Sequence, residues 1–439
     1  MKFFHKGYLE TATMLMTSAN FYRRASAFLL PWKEDLMSFL TSLAIIFLSA
    51  LWLGSLLHKI KLPPLMGMLL IGILFSPRAL NLISTDLLAI SSDLRQFALI
   101  IILTRAGLSL KPDDLRQTGR PAVLLCFLPA TWEIIGYIAL APTVLGLSIS
   151  GSALTGAVMG GQSPLPLWSP RMLKLKEEGY GTDKSIPQMI MAGSSCDDVF
   201  VIVLFTALLT TAGVGGFDFN IIWKIPVSIV LGVIFGIFCG CLFSFFFQHF
   251  KIRDTVKIII LLSSSFLLVA LEGGIKKWIP FSGLLAVISF GVTFHAKSEN
   301  QAKRLSARYE KLWVFAEIIL FVLVGTEVDI SYVFSKGCHV LIMLLRTLGF
   351  RIIGVFVCLI KTPLTSKERL FCAIAYLPKA TVQAAIGAIP LSAGLPCGQT
   401  ILTCAVLAIL ITAPLGALAT DSSYKKLLMK AEAQDKNQN

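Results

Sequence analysis

The sequence predicts an all-α polytopic membrane protein with thirteen transmembrane helices, arranged as two inverted six-helix repeats joined by a linker helix. Three observations support this fold class: the composition, the length of the apolar runs and a weak internal repeat. The chain has 439 residues, of which 55% are hydrophobic and 15% are charged. Soluble domains carry about 25% charged residues, so most of this chain must be solvated by lipid.

The apolar runs define thirteen segments, each close to the roughly 20 residues that a helix needs to cross a bilayer. The predicted spans are 38–57, 62–80, 93–110, 121–142, 149–170, 187–213, 219–247, 256–272, 279–295, 310–328, 338–360, 369–390 and 398–420.

The basic residues determine the predicted orientation. The net charge of +14 comes from Lys and Arg between the apolar runs, which argues against nucleic acid as a partner. Loops after odd-numbered spans are rich in these residues, for example Lys303, Arg304 and Arg308, whereas loops after even-numbered spans hold few. Because positive loops stay in the cytoplasm, the C-terminus is predicted to be cytoplasmic in an integral protein of the cell membrane.

The N-terminal segment 1–37 does not fit this orientation, because it is basic and would lie outside. A fourteenth span over 8–31 would remove the conflict, but Arg23 and Arg24 fall in its middle. We therefore interpret the segment as an interfacial amphipathic helix.

An internal repeat relates the two halves of the chain. Residues 60–75 resemble 276–291 with Gly67 opposite Gly283, and 97–110 resemble 315–328 with Gly107 opposite Gly325, at offsets of 216 and 218 residues. An odd number of spans separates the counterparts, so the halves would have opposite orientations. The predicted organisation is an N-terminal segment 1–37, a first repeat 38–213, a linker helix 219–250, a second repeat 255–420 and a tail 421–439.

Prolines interrupt corresponding spans of the two repeats. Pro164, Pro166 and Pro170 follow two glycines in the fifth span, and Pro378 lies opposite them in the twelfth. A single proline could be a simple kink. Interrupted helices at equivalent positions are instead typical of secondary transporters that bind substrate near the bilayer midplane.

Ionisable side chains at membrane depth are costly and suggest functional sites. The set is Arg105, Glu133, Asp197, Asp198, Glu317, Arg346, Arg351 and Lys379. Glu317 and Arg351 lie near span ends, so we interpret them as side chains that reach the interface. The other six need partners.

Asp197 and Asp198 are the only charged residues between Ile186 and Phe217. Adjacent helical residues diverge by about 100°, so the two carboxylates meet different surroundings. A buried carboxylate can hold a proton or coordinate a small hard cation through oxygen. The pair therefore predicts exchange of a cation for a proton, and the alternative is a packing salt bridge.

Other polar residues support this site. Glu133 and Arg346 occupy equivalent spans, and we expect them to form a structural or gating ion pair. Lys379, in the second interrupted span, is expected to neutralise half-helix C-terminal dipoles. Thr381 there and Ser163 in the first interrupted span offer neutral oxygens.

The nine cysteines and five histidines show no ligand spacing, so we expect neither disulfides nor a metal or other cofactor. The transported ion would be the only metal, held by Asp198 and Asp197.

The sequence resembles the monovalent cation:proton antiporter superfamily, and most of all its sodium/hydrogen exchanger 9B branch. The resemblance lies in TRAGLSL (104–110), the Glu in LPATWEIIG, GYG (179–181) followed by the Asp pair, Arg346, and LPKATVQAAIG (377–387). It implies two crossed broken helices, a mobile core moving against a homodimer scaffold, and exchange of Na+ or Li+ for H+. It also implies that Asp198 carries the ion or proton with Asp197 as helper, and that Glu133 and Arg346 form the buried pair.

Three alternatives remain at this point. A sodium-coupled symporter of an organic anion could share the crossed-helix architecture. An intramembrane aspartyl protease would need its carboxylates on separate helices, whereas these are adjacent. A channel would need a continuous polar path, whereas the sequence shows one polar cluster at mid-depth.

Overall fold

The computed structural model describes residues 38–110, 118–162, 169–212, 219–250, 252–275 and 281–430. The predicted N-terminal interfacial segment, Ser163, Pro164 and Pro166 lie outside these residues. The helices of the described part are α1 Phe39–Lys59, α2 Pro64–Phe75, α3 Thr85–Ala89, α4 Ser91–Ser109, α5 Arg120–Leu125, α6 Leu128–Leu145, α7 Ile149–Gly160, α8 Ser169–Glu177, α9 Ile186–Ala212, α10 Phe219–His249, α11 Asp254–Ile275, α12 Gly283–Lys297, α13 Glu299–Thr326, α14 Ile330–Cys358, α15 Ser366–Ala375, α16 Thr381–Gly387, α17 Ile389–Ser392 and α18 Gly398–Leu427.

Local sequence sets several of the helix starts. The Ser148 hydroxyl accepts a hydrogen bond from Gly151 N at 3.1 Å, and an Asp329 carboxylate oxygen accepts one from Tyr332 N, also at 3.1 Å. Thr365 and Glu368 form a capping box at the start of α15. Each contact satisfies a backbone N–H that has no partner within its helix.

The helices fit a membrane protein. Seven described helices are long and apolar enough to cross a bilayer, and four shorter apolar helical segments accompany them. The all-helical polytopic prediction is confirmed, whereas the count of thirteen spans remains a prediction. One difference concerns α13, which begins at Glu299, ahead of the predicted span 310–328, because its charged first half continues the same helix.

The helices pack in two groups. Helices α1–α4 and α10–α13 make most of their contacts with one another, and we call them the scaffold group. Helices α5–α9 and α14–α18 form the second set, which we call the site group because it contains Asp197 and Asp198.

Glycines join helices of the scaffold group at two crossings. A Cβ atom on Gly72 of α2 would lie 3.0 Å from the Cα of Gly325 in α13, and one on Gly107 of α4 would lie 3.0 Å from the Cα of Gly291 in α12. Real Cβ atoms rarely approach so closely. The four positions must therefore lack side chains for the backbones to meet.

Two breaks in helices face each other in the site group. Helix α7 ends at Gly160, and Gly161 continues in extended conformation. The second break lies between α15 and α16 and includes Pro378, which packs against Gly416 of α18. The breaks expose backbone groups that a continuous helix would have paired.

Candidate functional site

The carbonyl groups at the end of α7 are bonded by side chains from the second half of the chain. Val158 O accepts a hydrogen bond from Gln383 Nε2 at 3.2 Å, and Gly161 O accepts one from the same nitrogen at 2.8 Å. Met159 O accepts from Lys379 Nζ. These contacts satisfy carbonyls that the helix end leaves without partners.

Arg351 connects both breaks. Its Nη1 donates to Gly160 O at 2.5 Å, and its Nε donates to Tyr376 O at 2.6 Å, where α15 ends. Gln162 adds a second connection, since its Nε2 donates to Ala375 O at 2.7 Å. Cationic groups at helix C-termini are favourable because the ends carry partial negative charge.

Four fully buried charged side chains form one network at the breaks. Arg351 donates from Nη2 to Asp197 Oδ2 at 2.9 Å and from Nη1 to Glu133 Oε2 at 2.9 Å, and Lys379 Nζ donates to the same Glu133 oxygen at 2.8 Å. The network therefore contains two acids and two bases. Such a balance matters because an uncompensated charge in a low-dielectric interior is very costly.

Asp198 lies beside this network but outside it. The side chain is half-buried, and its Oδ1 atom is buried without a hydrogen-bond partner. Among the described residues, no basic side chain forms a salt bridge with Asp198. Asp197, in contrast, is bound by Arg351 and by Gln162 N, which donates to Asp197 Oδ2 at 3.1 Å.

The predicted Glu133–Arg346 pair is wrong. Helices α6 and α14 do pack together, but Arg346 is exposed and Glu133 pairs with Arg351 and Lys379. Five residues correspond to about 140° around a helix, so Arg346 points away from the face that meets α6. The interpretation of Arg351 as an interfacial side chain is wrong for the same reason, because its exposed fraction is 0%.

The other predicted side chains fall in two places. Lys379 lies at the end of α7, where a helix dipole was expected, and Thr381 is buried at the start of α16. Arg105 and Glu317 lie in the scaffold group, where Arg105 pairs with Glu310 at 3.3 Å. The structure therefore separates these two from the site.

Sequence reasoning missed Gln162, and it named Gln383 merely as a nearby oxygen. Both are fully buried, and each joins one break to the other through its amide nitrogen. Gln162 directly follows the glycine pair that ends α7, and Gln383 follows Lys379 by one turn. A glutamine next to a predicted break was the available signal.

The site can offer oxygen ligands to a small cation. Five buried side-chain oxygens in it have no hydrogen-bond partner within the described part of the chain: Glu133 Oε1, Gln162 Oε1, Asp197 Oδ1, Asp198 Oδ1 and Gln383 Oε1. Carboxylate and amide oxygens are the ligand types that hard cations prefer. No three His, Cys, Asp or Glu side chains in the described residues are placed to hold a metal ion together.

Comparison with known proteins agrees with this arrangement. Residues 43–421 match the family model described as sodium/hydrogen exchanger, transmembrane. The chain is 33% identical over 418 residues to sodium/hydrogen exchanger 9B2 of Xenopus tropicalis, covering 89% of this chain and 75% of that protein. It is 32% identical to the human 9B2 protein over 426 residues, covering 91% and 77%, and 33% identical to the 9B1 protein of Macaca fascicularis over 414 residues, covering 89% and 79%.

The fold also matches a solved structure. The sodium proton antiporter MjNhaP1 from Methanocaldococcus jannaschii at pH 8 superposes with a TM-score of 0.77 at 20% identity, covering 88% of this chain and all of that chain. The resemblance noted in the sequence is confirmed. The chain is an integral membrane protein that belongs to the sodium/hydrogen exchanger family.

Proposed function

We propose that this protein is a secondary active antiporter that exchanges Na+ or Li+ for H+, with the two ions competing for Asp198 beside Asp197. The observation that carries the proposal is the charge balance of the site. Asp197, Glu133, Arg351 and Lys379 compensate one another, which leaves Asp198 as the carboxylate without a basic partner in the described residues.

Competition at one carboxylate couples the two fluxes. Burial disfavours an unpaired negative charge, so Asp198 is stabilised either by a proton or by a bound cation. A small alkali cation would take oxygen ligands from Asp198 and from the buried oxygens of Asp197 and Gln162. Because one ligand excludes the other, each crossing with a cation is balanced by a return with a proton.

The two helix groups support alternating access. The site group contains both breaks and all four charges of the network, and the scaffold group packs as a separate unit. In the proposed cycle, the site group moves relative to the scaffold group and exposes Asp198 first on one side of the membrane and then on the other. The glycine crossings of the scaffold group favour a rigid partner for this movement.

The glycine crossings also support the inverted repeat and its predicted boundaries. Gly72 of the first repeat meets Gly325 of the second, and Gly291 of the second meets Gly107 of the first. The offsets between corresponding glycines are 219 and 218 residues, close to those found in the sequence. We retain the thirteen-span topology with a cytoplasmic C-terminus in the cell membrane, and a homodimer, as parts of the proposal.

A sodium-coupled symporter of an organic anion is the second candidate. It is suggested by the fold alone, since crossed broken helices also serve such carriers. The buried charges of the described site are already compensated, so an organic anion would meet no unpaired base there.

Proteoliposomes with an imposed pH gradient test the proposal. We expect added Na+ or Li+ to dissipate the gradient, and the ranking of Na+, Li+ and K+ to give the selectivity. Protein-free liposomes control for leak. Failure of all three cations with folded protein would contradict antiport, and uptake driven by a sodium gradient without a pH gradient would favour the symporter.

A further inference from the structure

A cavity of about 360 Å³ separates the two helix groups at the end of the bundle opposite the C-terminal tail. The scaffold group contributes Arg95, Glu272 and Leu284 to its wall, and the site group contributes Phe205, Thr206 and Ser392. A space lined by both groups must change shape when one group moves against the other.

Arg95 bridges the two groups beside this cavity. Its Nη1 donates to Glu327 Oε1 at 2.9 Å, next to the end of α13 in the scaffold group. Its Nη2 donates to the Ser392 hydroxyl at 3.2 Å, in α17 of the site group. The side chain is 6% exposed, so water weakens neither contact much.

Phe205 lies between this cavity and the aspartates along α9. It follows Asp198 by seven residues, which is about two helical turns, so both side chains lie on nearly the same face about 10 Å apart. Phe205 is fully buried although it lines the cavity. An aromatic side chain at this position blocks passage of a hydrated ion from the cavity to Asp198.

We propose that Arg95 is a gating residue whose bond to Ser392 holds the cavity end of the site closed over Phe205. The inference rests on the proposed alternating access, because a contact between the two groups restrains exchange only if the groups move. Arg95 is anchored on the scaffold by Glu327, so movement of α17 would break the Ser392 bond and leave the ion pair intact. The cavity would then widen toward Phe205.

The test measures access to the cavity. A Thr206→Cys substitution places a thiol in the cavity wall, and a membrane-impermeant maleimide reports its exposure in right-side-out and inside-out vesicles. The unsubstituted chain, with its nine native cysteines, gives the background. Loss of one hydrogen bond to a charged group shifts a two-state equilibrium by roughly tenfold or more. Combined with either Arg95→Gln or Ser392→Ala, the labelling rate should rise about tenfold from one side.

Arg105→Gln is the matched control. Arg105 lies on the same helix α4 and is also buried, but it pairs with Glu310 inside the scaffold group. Its substitution should leave labelling unchanged. The proposal is overturned if neither Arg95→Gln nor Ser392→Ala raises the rate, or if Arg105→Gln raises it equally.

The pH-gradient assay on the same preparations separates the two proposals. Unchanged labelling together with cation-dependent exchange would remove the gating role and leave antiport intact. Raised labelling in a protein that never exchanges cations for protons would establish the latch and remove the proposed function. Ser392→Ala provides the test if Arg95→Gln does not fold.

Discussion

The scaffold group and the site group are held together by different means. In the scaffold group, helices meet backbone to backbone at Gly72, Gly325, Gly107 and Gly291. In the site group, two helices are interrupted, and charged or amide side chains bond the carbonyls at the breaks. The comparison teaches that one group depends on the absence of side chains, whereas the other depends on a few buried charged ones.

The largest stability effect is expected from removing the basic centre of the site group. Arg351→Ala would leave Asp197 without its base and Gly160 O and Tyr376 O without a donor. Breaking a buried ion pair costs about 3–5 kcal/mol, so we expect a much lower thermal unfolding temperature in detergent. Arg346→Ala on the same helix is the control, and since Arg346 is exposed its change should stay within about 0.5 kcal/mol. Equal losses in the two variants would contradict the assigned pairing.

A smaller effect is expected at the glycine crossings of the scaffold group. Gly72→Ala would place a methyl group against the backbone of α13, and overpacking of this kind costs about 1–3 kcal/mol. Gly349→Ala is the matched change, because a Cβ atom there has no neighbour within 4 Å in the described residues. Thermal unfolding should therefore distinguish the two variants. A Gly349→Ala loss as large as that of Gly72→Ala would show that the crossing is not tight.

Transport should depend on pH with a defined sign. As the pH falls, protons occupy Asp198 and exclude the cation, so the apparent KM for Na+ should rise, by at most tenfold per pH unit for one proton per cation. As the pH rises, the KM should fall to a plateau. Exchange rates across a range of Na+ concentrations and pH values check this. A KM independent of pH would contradict competition at one carboxylate.

The smallest effect is expected at the C-terminal end of the site group. Arg171 and Asp421 form a partly exposed ion pair at 3.0 Å. Surface pairs contribute at most about 1 kcal/mol, so Asp421→Asn should change neither the unfolding temperature nor the KM for Na+ appreciably. A large loss of exchange in this variant would give this end of the chain a role that its contacts do not indicate.

Much of the site group could be predicted from sequence because the membrane makes charges conspicuous. Asp197, Asp198, Glu133 and Lys379 stood out as charges within apolar spans, and Pro378 marked the second break. The structure brings three of these charges into one network and places Asp198 beside it.

The errors concern faces of helices and neutral groups. The repeat offset indicated the correct helix α14 for the basic partner, but an offset uncertain by a few residues could not choose between Arg346 and Arg351. Gln162 carries no charge, so hydropathy gave it no weight, although its backbone N–H and its amide both hold the site together. The packing of the scaffold group was visible merely as matched glycines.

The most direct test of the account compares Asp198→Asn with wild type and with Asp197→Asn at matched protein in proteoliposomes with a pH gradient. The account predicts that Asp198→Asn folds with nearly unchanged thermal stability, because Asp198 has no salt bridge in the described structure, and that Na+-triggered dissipation disappears. Asp197→Asn should lower stability as well, because it leaves Arg351 with one acid fewer. Dissipation that persists in Asp198→Asn would contradict the central claim.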